Sequence, residues 1–415
     1  MLDATPAPPF QMWLGSPANA RNLTRAFCST HPMISRLSLL LLLVAPLAAQ
    51  PAAPAPAAAP AAPTASTPPA APAEENIAWH DVTTWGVEGR AWPEQERLRW
   101  FDRFPAAAEK TVTRAVWNLS RDAAGMMVRF KTDATTIHVH YKLSKTEAQL
   151  GMWNMPPSGV SGLDLYARDS AGKWKWVQVA RARTPEVKIE LIKDLAPGSR
   201  EYAAYLPLFN GVESLLIGVP KGASFEGQAP RTAKPIVFYG TSITHGIAAS
   251  RPGMVHTAIL GRRFDQPVIN LGFSGNGRMD AAVGEFLAQI DAAVFVFDCL
   301  PNMGPADVRA TAAPLVRQLR AARPDTPIVL VEDRRMTNEW ILPARAKFHD
   351  DNHAALREVF AALQKEGVKN LHYIPGDHLY GDDTEGATDG SHASDLGFVR
   401  QADVMEPILR RALGR

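Results

Sequence analysis

The sequence PIVFYGTSITHG, residues 235–246, decides how the second half of this chain folds. Residues 235–239 form an apolar run of strand-forming residues that stops at Gly240. A cluster of hydroxyl side chains follows at once, Ser242 among them, with a histidine behind it. A plain connection between two elements does not need this chemistry, whereas a nucleophile held on a tight strand-to-helix turn does. The stretch therefore predicts a buried strand that ends in a reactive serine.

The alternation of strand and helix continues from residue 231 to residue 415. Repeated strand-then-helix units predict a three-layer α/β domain built on a five-stranded parallel sheet. We call residues 231–415 the parallel-sheet domain. Its predicted strands are 235–239, 267–271, 292–297, 327–331 and 370–374, and its predicted helices lie near 254–264, 280–290, 306–322, 352–365 and 396–413.

Such a sheet places its chemistry at the carboxyl ends of the strands. Here the first strand is followed by Gly240-Thr241-Ser242, the second by NLGFSGNG (270–277) and the third by DCLPNM (298–303). The loop before the last helix carries TDGSH, residues 388–392. We therefore expect these four segments to meet at one edge of the sheet.

Three of these residues suit nucleophilic catalysis. Ser242 can attack a carbonyl, and His392 can take the serine proton and return it to a leaving group. Asp389, three residues before His392, can accept the other ring N–H and fix the tautomer. Each signal is weak alone, because a serine after a strand is also an ordinary helix N-cap and DGSH is also an ordinary loop.

The same strand ends offer donors for a developing oxyanion. The backbone N–H groups of Ser242 and Gly275 and the side-chain amide of Asn302 can converge on one oxygen. One such donor is typically worth ~10²–10³ in rate. Together with the acid–base pair, they predict an acyl-transfer site.

The region from residue 76 to residue 230 has a period of two and predicts an all-β, jelly-roll-like sandwich, which we call the sandwich domain. His138 and His140 share a predicted strand face, where metal ligation competes with solvation. Trp174 and Trp176 also share a face, where sugar stacking competes with sheet packing. The predicted strands are 126–132, 136–143, 162–170, 173–180 and 214–219, with no helices between them.

The N-terminus is typical of an export signal. Residues 33–50, MISRLSLLLLLVAPLAAQ, combine a basic start, a short apolar core and small residues at the end. We expect residues 1–49 to be an extension plus signal peptide, with a true start at Met33 and a secreted or periplasmic protein without stable membrane insertion after cleavage. An uncleaved anchor is the alternative. Residues 50–75 are rich in Ala and Pro and predict a disordered linker.

Composition excludes some partners. Lys and Arg number 44 against 42 Asp and Glu, and they are interspersed, so nucleic acid is not an expected partner. The two cysteines are Cys28, in the segment that we expect to be lost, and Cys299, which we interpret as a small core residue. A small-molecule or oligosaccharide ester remains the expected partner, and the oligomeric state stays open.

The order of Ser242, Gly275, Asn302 and His392 resembles the four blocks of the SGNH hydrolase superfamily, also called GDSL esterases and lipases. The motif Gly162-Leu-Asp-Leu-Tyr resembles the Gly-x-Asp-Leu-Tyr motif of its bacterial branch with a β-sandwich in front. The resemblance implies a flavodoxin-like domain with strand order 2-1-3-4-5. It also implies ester cleavage through an acyl-enzyme, without metal or organic cofactor, and the roles assigned above.

The sequence departs from the family pattern at four positions. Thr241 replaces the usual Asp before the serine, and Ala393 replaces a common proline after the histidine. Pro301 and Met303 replace the usual Gly and Asp on either side of Asn302. The donor role of Asn302 is the assignment most affected.

Further residues near these blocks are candidate substrate contacts. They are Thr241, His245 and Glu332. His245 could line an acyl pocket or lie on a solvated helix surface. Glu332 could touch a polar substrate, or cap the strand end and pair with Arg334 and Arg335.

Three functions remain open on the sequence. The first is a secreted carbohydrate acetylesterase, because the site lacks a long apolar insertion and an export signal precedes it. The second is a broad short-chain lipase or thioesterase. The third is a glycan-binding protein with an inactive hydrolase fold, which the intact acid–base residues argue against.

Overall fold

A computed structural model describes residues 76–415, which belong to one compact unit. The predicted export signal and linker lie outside the described residues. Within residues 76–415, no helix is long and apolar enough to cross a bilayer.

The sandwich domain consists of two antiparallel sheets, as the period of two predicts. Their strand orders are β1-β8-β3-β6 and β5-β4-β7-β2-β9. Aliphatic and aromatic residues from both sheets, such as Val139, Leu165 and Ile217, fill the space between them. The strands are β1 Ile77–Asp81, β2 Met127–Thr132, β3 Ile137–Leu143, β4 Asp164–Arg168, β5 Trp174–Val179, β6 Glu186–Ile192, β7 Arg200–Tyr205, β8 Val212–Pro220 and β9 Phe225–Gln228.

The expectation of no helix between the predicted strands is wrong at one four-residue helix, Pro157–Val160, and a longer helix precedes the first predicted strand. Helix α1, Arg114–Ser120, follows Thr113, whose side chain accepts a hydrogen bond from the N–H of Val116. Val116 and Trp117 are buried with Phe273 and other residues of the parallel-sheet domain. The helix therefore forms because its apolar face packs across the boundary between the domains. A second, four-residue helix is α2, Pro157–Val160.

The parallel sheet has the expected five strands and the expected order. The strands are β10 Ile236–Gly240, β11 Val268–Gly272, β12 Val294–Asp298, β13 Ile328–Val331 and β14 Leu371–Ile374. They are arranged β11-β10-β12-β13-β14, all parallel, which is 2-1-3-4-5 within this domain. The strands are short and almost wholly apolar because helices cover both faces.

Two layers of helices complete the α/β/α arrangement. Residues of α5, α6 and α7 pack in the core on one face of the sheet, and residues of α4 and α8 pack in the core on the other. Cys299 is buried, as expected of a core residue. The helices are α3 Ser242–His245, α4 His256–Phe264, α5 Ala281–Leu287, α6 Pro305–Ala322, α7 Pro343–Lys365 and α8 Asp395–Ala412.

Candidate active site

The register of the sheet sets the floor of the site. Gly240 at the end of β10 pairs with Gly272 of β11 on one side and with Asp298 of β12 on the other. A Cβ at Gly240 would lie 2.1 Å from Oγ1 of Thr244, and one at Gly272 would lie 2.1 Å from the backbone N of His245. Glycine at both positions therefore lets helix α3 fold back tightly over the strand ends.

Ser242 is the first residue of α3, and its hydroxyl meets His392. Its Oγ lies 3.0 Å from Nε2 of His392. Thr241 precedes it in an extended conformation and caps the turn by accepting from the N–H of Ile243 at 3.4 Å. Ser242 is only 6% exposed, so its hydroxyl lies recessed at the strand ends.

Two polar contacts fix helix α3 from below. Oγ1 of Thr244 donates to Oδ2 of Asp298 at 2.9 Å. The carbonyl of Thr244 accepts from Nδ2 of Asn270 at 2.6 Å. Asp298 is in turn paired with the buried guanidinium of Arg334. The serine therefore stands on a turn that is held from two neighbouring strands.

Asp389 orients the histidine through one oxygen and stabilises its own loop through the other. Oδ2 accepts from Nδ1 of His392 at 2.7 Å. Oδ1 accepts from the backbone N–H groups of Ser391 at 3.1 Å and His392 at 2.8 Å. Burial alone would raise the pKa of Asp389, but these hydrogen bonds and a further one from Asn154 hold it well below its ordinary value. The carboxylate is therefore ionised throughout the neutral and mildly acidic range.

Asn154 is a residue of this site that the sequence did not reveal. It belongs to the sandwich domain, and its Nδ2 donates to Oδ2 of Asp389 at 2.9 Å. The two residues are 235 positions apart, and no motif surrounds Asn154. Only the docking of the two domains brings them together.

The expected oxyanion donors lie at the ends of β10, β11 and β12. Gly275 has a φ of +71°, a left-handed conformation that suits glycine. No described residue accepts a hydrogen bond from the backbone N–H of Ser242 or of Gly275. Both donors are therefore available to a substrate oxygen.

The unusual neighbours of Asn302 do not remove it from the site. Residues Leu300–Asn302 form a short 3₁₀ turn, in which the N–H of Met303 donates to the carbonyl of Leu300 at 2.9 Å. Oδ1 of Asn302 accepts from the N–H of Gly277 at 3.3 Å. Because the oxygen is engaged in this way, the NH₂ group is the half of the amide left for a ligand.

The structure does not bring all candidate substrate contacts to the site. Thr241 is buried beneath the serine turn. His245 is fully buried, which overturns the solvated alternative. It stacks on Phe209 with ring centroids 3.9 Å apart, and its Nε2 lies 2.8 Å from the carbonyl oxygen of Leu208. The sandwich domain therefore covers His245 and leaves it no surface for an acyl group.

Glu332 is also interior, and its expected contact with substrate is wrong in this structure. Its carboxylate accepts from Tyr373 at 2.6 Å, from Arg357 at 2.7 Å and from the N–H of Gly376 at 2.7 Å. The side chain is fully buried. Its arginine partner is Arg357 and not the expected Arg334 or Arg335, whose guanidinium groups bind Asp298 and Asp377.

A buried cluster behind β13 has metal-ligand residue types, Asp333, His349 and His353. Oδ2 of Asp333 lies 2.7 Å from Nδ1 of His349, and Oδ1 lies 2.7 Å from Nε2 of His353. The remaining nitrogen of His349 accepts from the N–H of Met336 at 3.3 Å. The remaining nitrogen of His353 lies 3.2 Å from a Glu332 oxygen. Despite these short distances, Nδ1 of His353 and Oδ1 of Asp333 are buried without a hydrogen bond of good geometry.

The other sequence candidates are also engaged in packing. His138 and His140 both lie edge-on to Trp79, and Nε2 of His140 lies 2.8 Å from Glu186. Trp174 stacks under the guanidinium of Arg168. Trp176 is 48% exposed, and its indole N–H donates to Asp164, the central residue of the motif quoted above.

Two family models match the chain. One, described as the GDSL-like lipase/acylhydrolase family, matches residues 233–410. The other, the GxDLY model, described as the N-terminus of SGNH-hydrolase-type esterases, matches residues 77–225. No curated protein matches the chain.

Solved structures share the whole two-domain arrangement. A protein from Bacteroides ovatus, assigned as a GDSL-like lipase, is 32% identical, with a TM-score of 0.77 over 82% of this chain and 98% of that one. The salicylyl-acyltransferase SsfX3 of a tetracycline biosynthetic pathway is 20% identical, with a TM-score of 0.61 over 83% and 96%. An acetyl xylan esterase of Butyrivibrio proteoclasticus is 10% identical, with a TM-score of 0.50 over 82% and 99%. The last two likenesses show the fold alone.

Proposed function

We propose a function from the premise that this chain belongs to the GDSL-like lipase and acylhydrolase family of SGNH-type esterases, and is a carboxylic ester hydrolase. It removes short acyl groups, most of all acetyl, from carbohydrates. The reaction passes through an acyl-enzyme on Ser242, with His392 as the base and Asp389 as its orienting carboxylate.

The continuous hydrogen-bond chain from Ser242 to Asp389 carries this proposal. Nε2 of His392 takes the hydroxyl proton while Oγ of Ser242 attacks the ester carbonyl. The N–H groups of Ser242 and Gly275 and the amide of Asn302 receive the charge on the carbonyl oxygen. The imidazolium then protonates the leaving alcohol. A water molecule, deprotonated by the same nitrogen, releases the acid and restores the serine.

Exposed aromatic residues beside the Ser242–His392–Asp389 hydrogen bonds support a carbohydrate substrate. Trp153 is 83% exposed and adjoins Asn154. Trp340 is 75% exposed, on a loop whose Thr337 N–H donates to the carbonyl of Gly390 at 2.9 Å. One tryptophan thus comes from each domain, on a loop that contacts residues 389–390. Large aromatic faces left in water at a site commonly serve as stacking surfaces for a ligand ring.

Two further observations favour small acyl groups on an extracellular sugar. The low exposure of Ser242 limits the acyl group that can reach it. The predicted export signal would deliver the enzyme to polysaccharides outside the cytoplasm. The structural neighbours include an acetyl xylan esterase, which is consistent with this substrate class.

The decisive experiment measures acetate release from acetylated oligosaccharides by the wild type and by Ser242→Ala. Loss of the nucleophile should lower kcat by roughly 10⁴-fold or more, with the fold retained. Ser214→Ala, an exposed serine on β8, is the matched control and should keep full activity. Turnover by Ser242→Ala at the wild-type rate would reject the mechanism.

A broad short-chain lipase is the second candidate, because the 32% identical neighbour is assigned as GDSL-like lipase. An acyl-length series with p-nitrophenyl esters separates the two functions. Carbohydrate acetylesterase activity predicts the highest kcat/KM for acetate. A value that rises beyond four carbons would favour the lipase.

A further inference from the structure

The sandwich domain contributes directly to the catalytic histidine. We propose that Asn154 is a positioning residue, which holds Asp389 in the rotamer that orients His392. This inference rests on the proposed function, because it assigns a role within the same Ser242–His392–Asp389 chain.

The geometry places Asn154 on the one carboxylate oxygen that matters for the imidazole. Oδ2 of Asp389 accepts from Nδ1 of His392 at 2.7 Å and from Nδ2 of Asn154 at 2.9 Å. Oδ1 is held by backbone N–H groups of its own loop. Asn154 is thus the donor to Oδ2 from outside the 389–392 turn. The amide orientation follows from charge, since a flipped amide would direct its oxygen at the carboxylate.

The segment that carries Asn154 is built to hold it still. Met152 and Met155 exchange backbone hydrogen bonds of 2.9 and 3.1 Å, so Trp153 and Asn154 form the tip of a tight hairpin. Met155 is 1% exposed and packs in the core beside the parallel sheet. Leu150 packs in the core of the sandwich. The hairpin is therefore fixed between both cores.

A fixed donor at Oδ2 has two physical consequences. A charge-assisted hydrogen bond stabilises the ionised carboxylate and stops its rotation away from the imidazole. An imidazole whose acceptor stays in place keeps the tautomer that presents a free Nε2 to Ser242. Removal of one hydrogen bond to a charged group should therefore lower kcat about 10- to 100-fold. KM should change little, because this hydrogen bond joins Asn154 to Asp389 and not to the substrate.

A purely structural role is the competing explanation, and a second bond offers the comparison. Nε2 of Gln95 donates to Oε1 of Gln289 across the same domain boundary, also at 2.9 Å. This amide pair lies outside the Ser242–Asp389 chain. Gln95→Ala therefore removes an inter-domain hydrogen bond of the same length without touching the triad.

The experiment compares Asn154→Ala, Asn154→Asp and Gln95→Ala with the wild type on a small acetyl ester from pH 5.5 to pH 8.5. We expect Asn154→Ala to lose 10- to 100-fold in kcat with KM within about threefold, and Gln95→Ala to match the wild type. Asn154→Asp should be worse than Asn154→Ala at pH 8.5, because two carboxylates would face each other. Its kcat relative to Asn154→Ala should rise on acidification, when one proton shared by the two restores a donor.

Each outcome decides between the roles. Wild-type kcat in Asn154→Ala, or an activity ratio of the two Asn154 variants that does not change with pH, would overturn the inference. Unfolding in urea shows whether each variant folds. If Asn154→Ala does not fold, the kcat of Asn154→Asp relative to the wild type is followed from pH 8.5 to pH 5.5 instead, and a ratio that does not rise on acidification would overturn the inference. Failure of the proposed function is distinct, since the wild type would then show no turnover or Ser242→Ala would retain it.

Discussion

Two of the carboxylates at the boundary between the sandwich domain and the parallel-sheet domain have pKa values that shift in opposite directions. Asp164, in the Gly-x-Asp-Leu-Tyr motif, is fully buried, and burial raises its pKa even beside the guanidinium of Arg251. Asp389 is only partly buried, and its hydrogen bonds lower its pKa despite the burial. Asp164 thus holds the two domains together, whereas Asp389 stays ionised beside the imidazole of His392.

The partners explain the difference. Asp164 accepts from Arg251 at 2.9 Å, from the N–H of Gly253 at 2.8 Å and from the indole of Trp176 at 3.0 Å. The Tyr166 hydroxyl also contacts Arg251. The motif therefore reads as an anchor that fixes the loop at residues 251–253, which precedes α4. At the hairpin, by contrast, a single side-chain hydrogen bond reaches the triad.

This contrast predicts that loss of the Asp164 contacts lowers the free energy of unfolding, whereas loss of the Asn154–Asp389 hydrogen bond lowers kcat. Asp164→Ala leaves a partly buried guanidinium without its partner and should destabilise the protein by about 3–5 kcal/mol. Urea unfolding measures this loss, and kcat per folded molecule should stay within about twofold of the wild type. Asp164→Asn keeps an acceptor of the same size and should lose less. A large fall in kcat without loss of stability would contradict the division between the two contacts.

A second test concerns Asn302, a donor to the developing oxyanion that belongs to the parallel-sheet domain alone. Asn302→Ala should lower kcat about 10²- to 10³-fold, because it removes one donor to the developing oxyanion. Asn302→Asp keeps the volume but not the donor and should lose at least as much. KM and the unfolding midpoint should change little. If both variants kept an activity close to the wild type, Asn302 would not be a donor, and the N–H groups of Ser242 and Gly275 would bind the oxyanion alone.

The features that local sequence determines were predicted well. The five parallel strands were foreseen because each is a short apolar run between helical patterns. Ser242 could be singled out because it closely follows the end of a strand, and Asp389 because it shares one short loop with His392. Helix α7 begins at Pro343, nine residues before its predicted start at 352. The prediction missed these nine residues because most of them are exposed and show no apolar pattern.

The misses arose where tertiary contacts decide. Strands β1, β6, β7 and β9 were not foreseen, since their pairing depends on strands distant in sequence. His245 was interpreted without knowledge that Phe209 covers it. Asn154 carries no local signal, because its role exists only when the hairpin meets Asp389. Local sequence therefore predicts the elements and loops that depend on near neighbours in the chain, and not the features that depend on residues distant in sequence.

The smallest expected effect separates the two neighbours at the hairpin tip, Trp153 and Asn154. Trp153→Ala should raise KM for an acetylated oligosaccharide about three- to tenfold, since a stacking contact is worth about 1 kcal/mol, and leave the small acetyl ester unaffected. Trp340→Ala should behave alike, although that residue belongs to the other domain. Leu98→Ala removes an exposed apolar side chain elsewhere and serves as the control. If Trp153→Ala instead lowered kcat on the small ester, as we expect of Asn154→Ala, the hairpin would act as one unit on Asp389, and the carbohydrate-binding role of its tryptophan would be rejected.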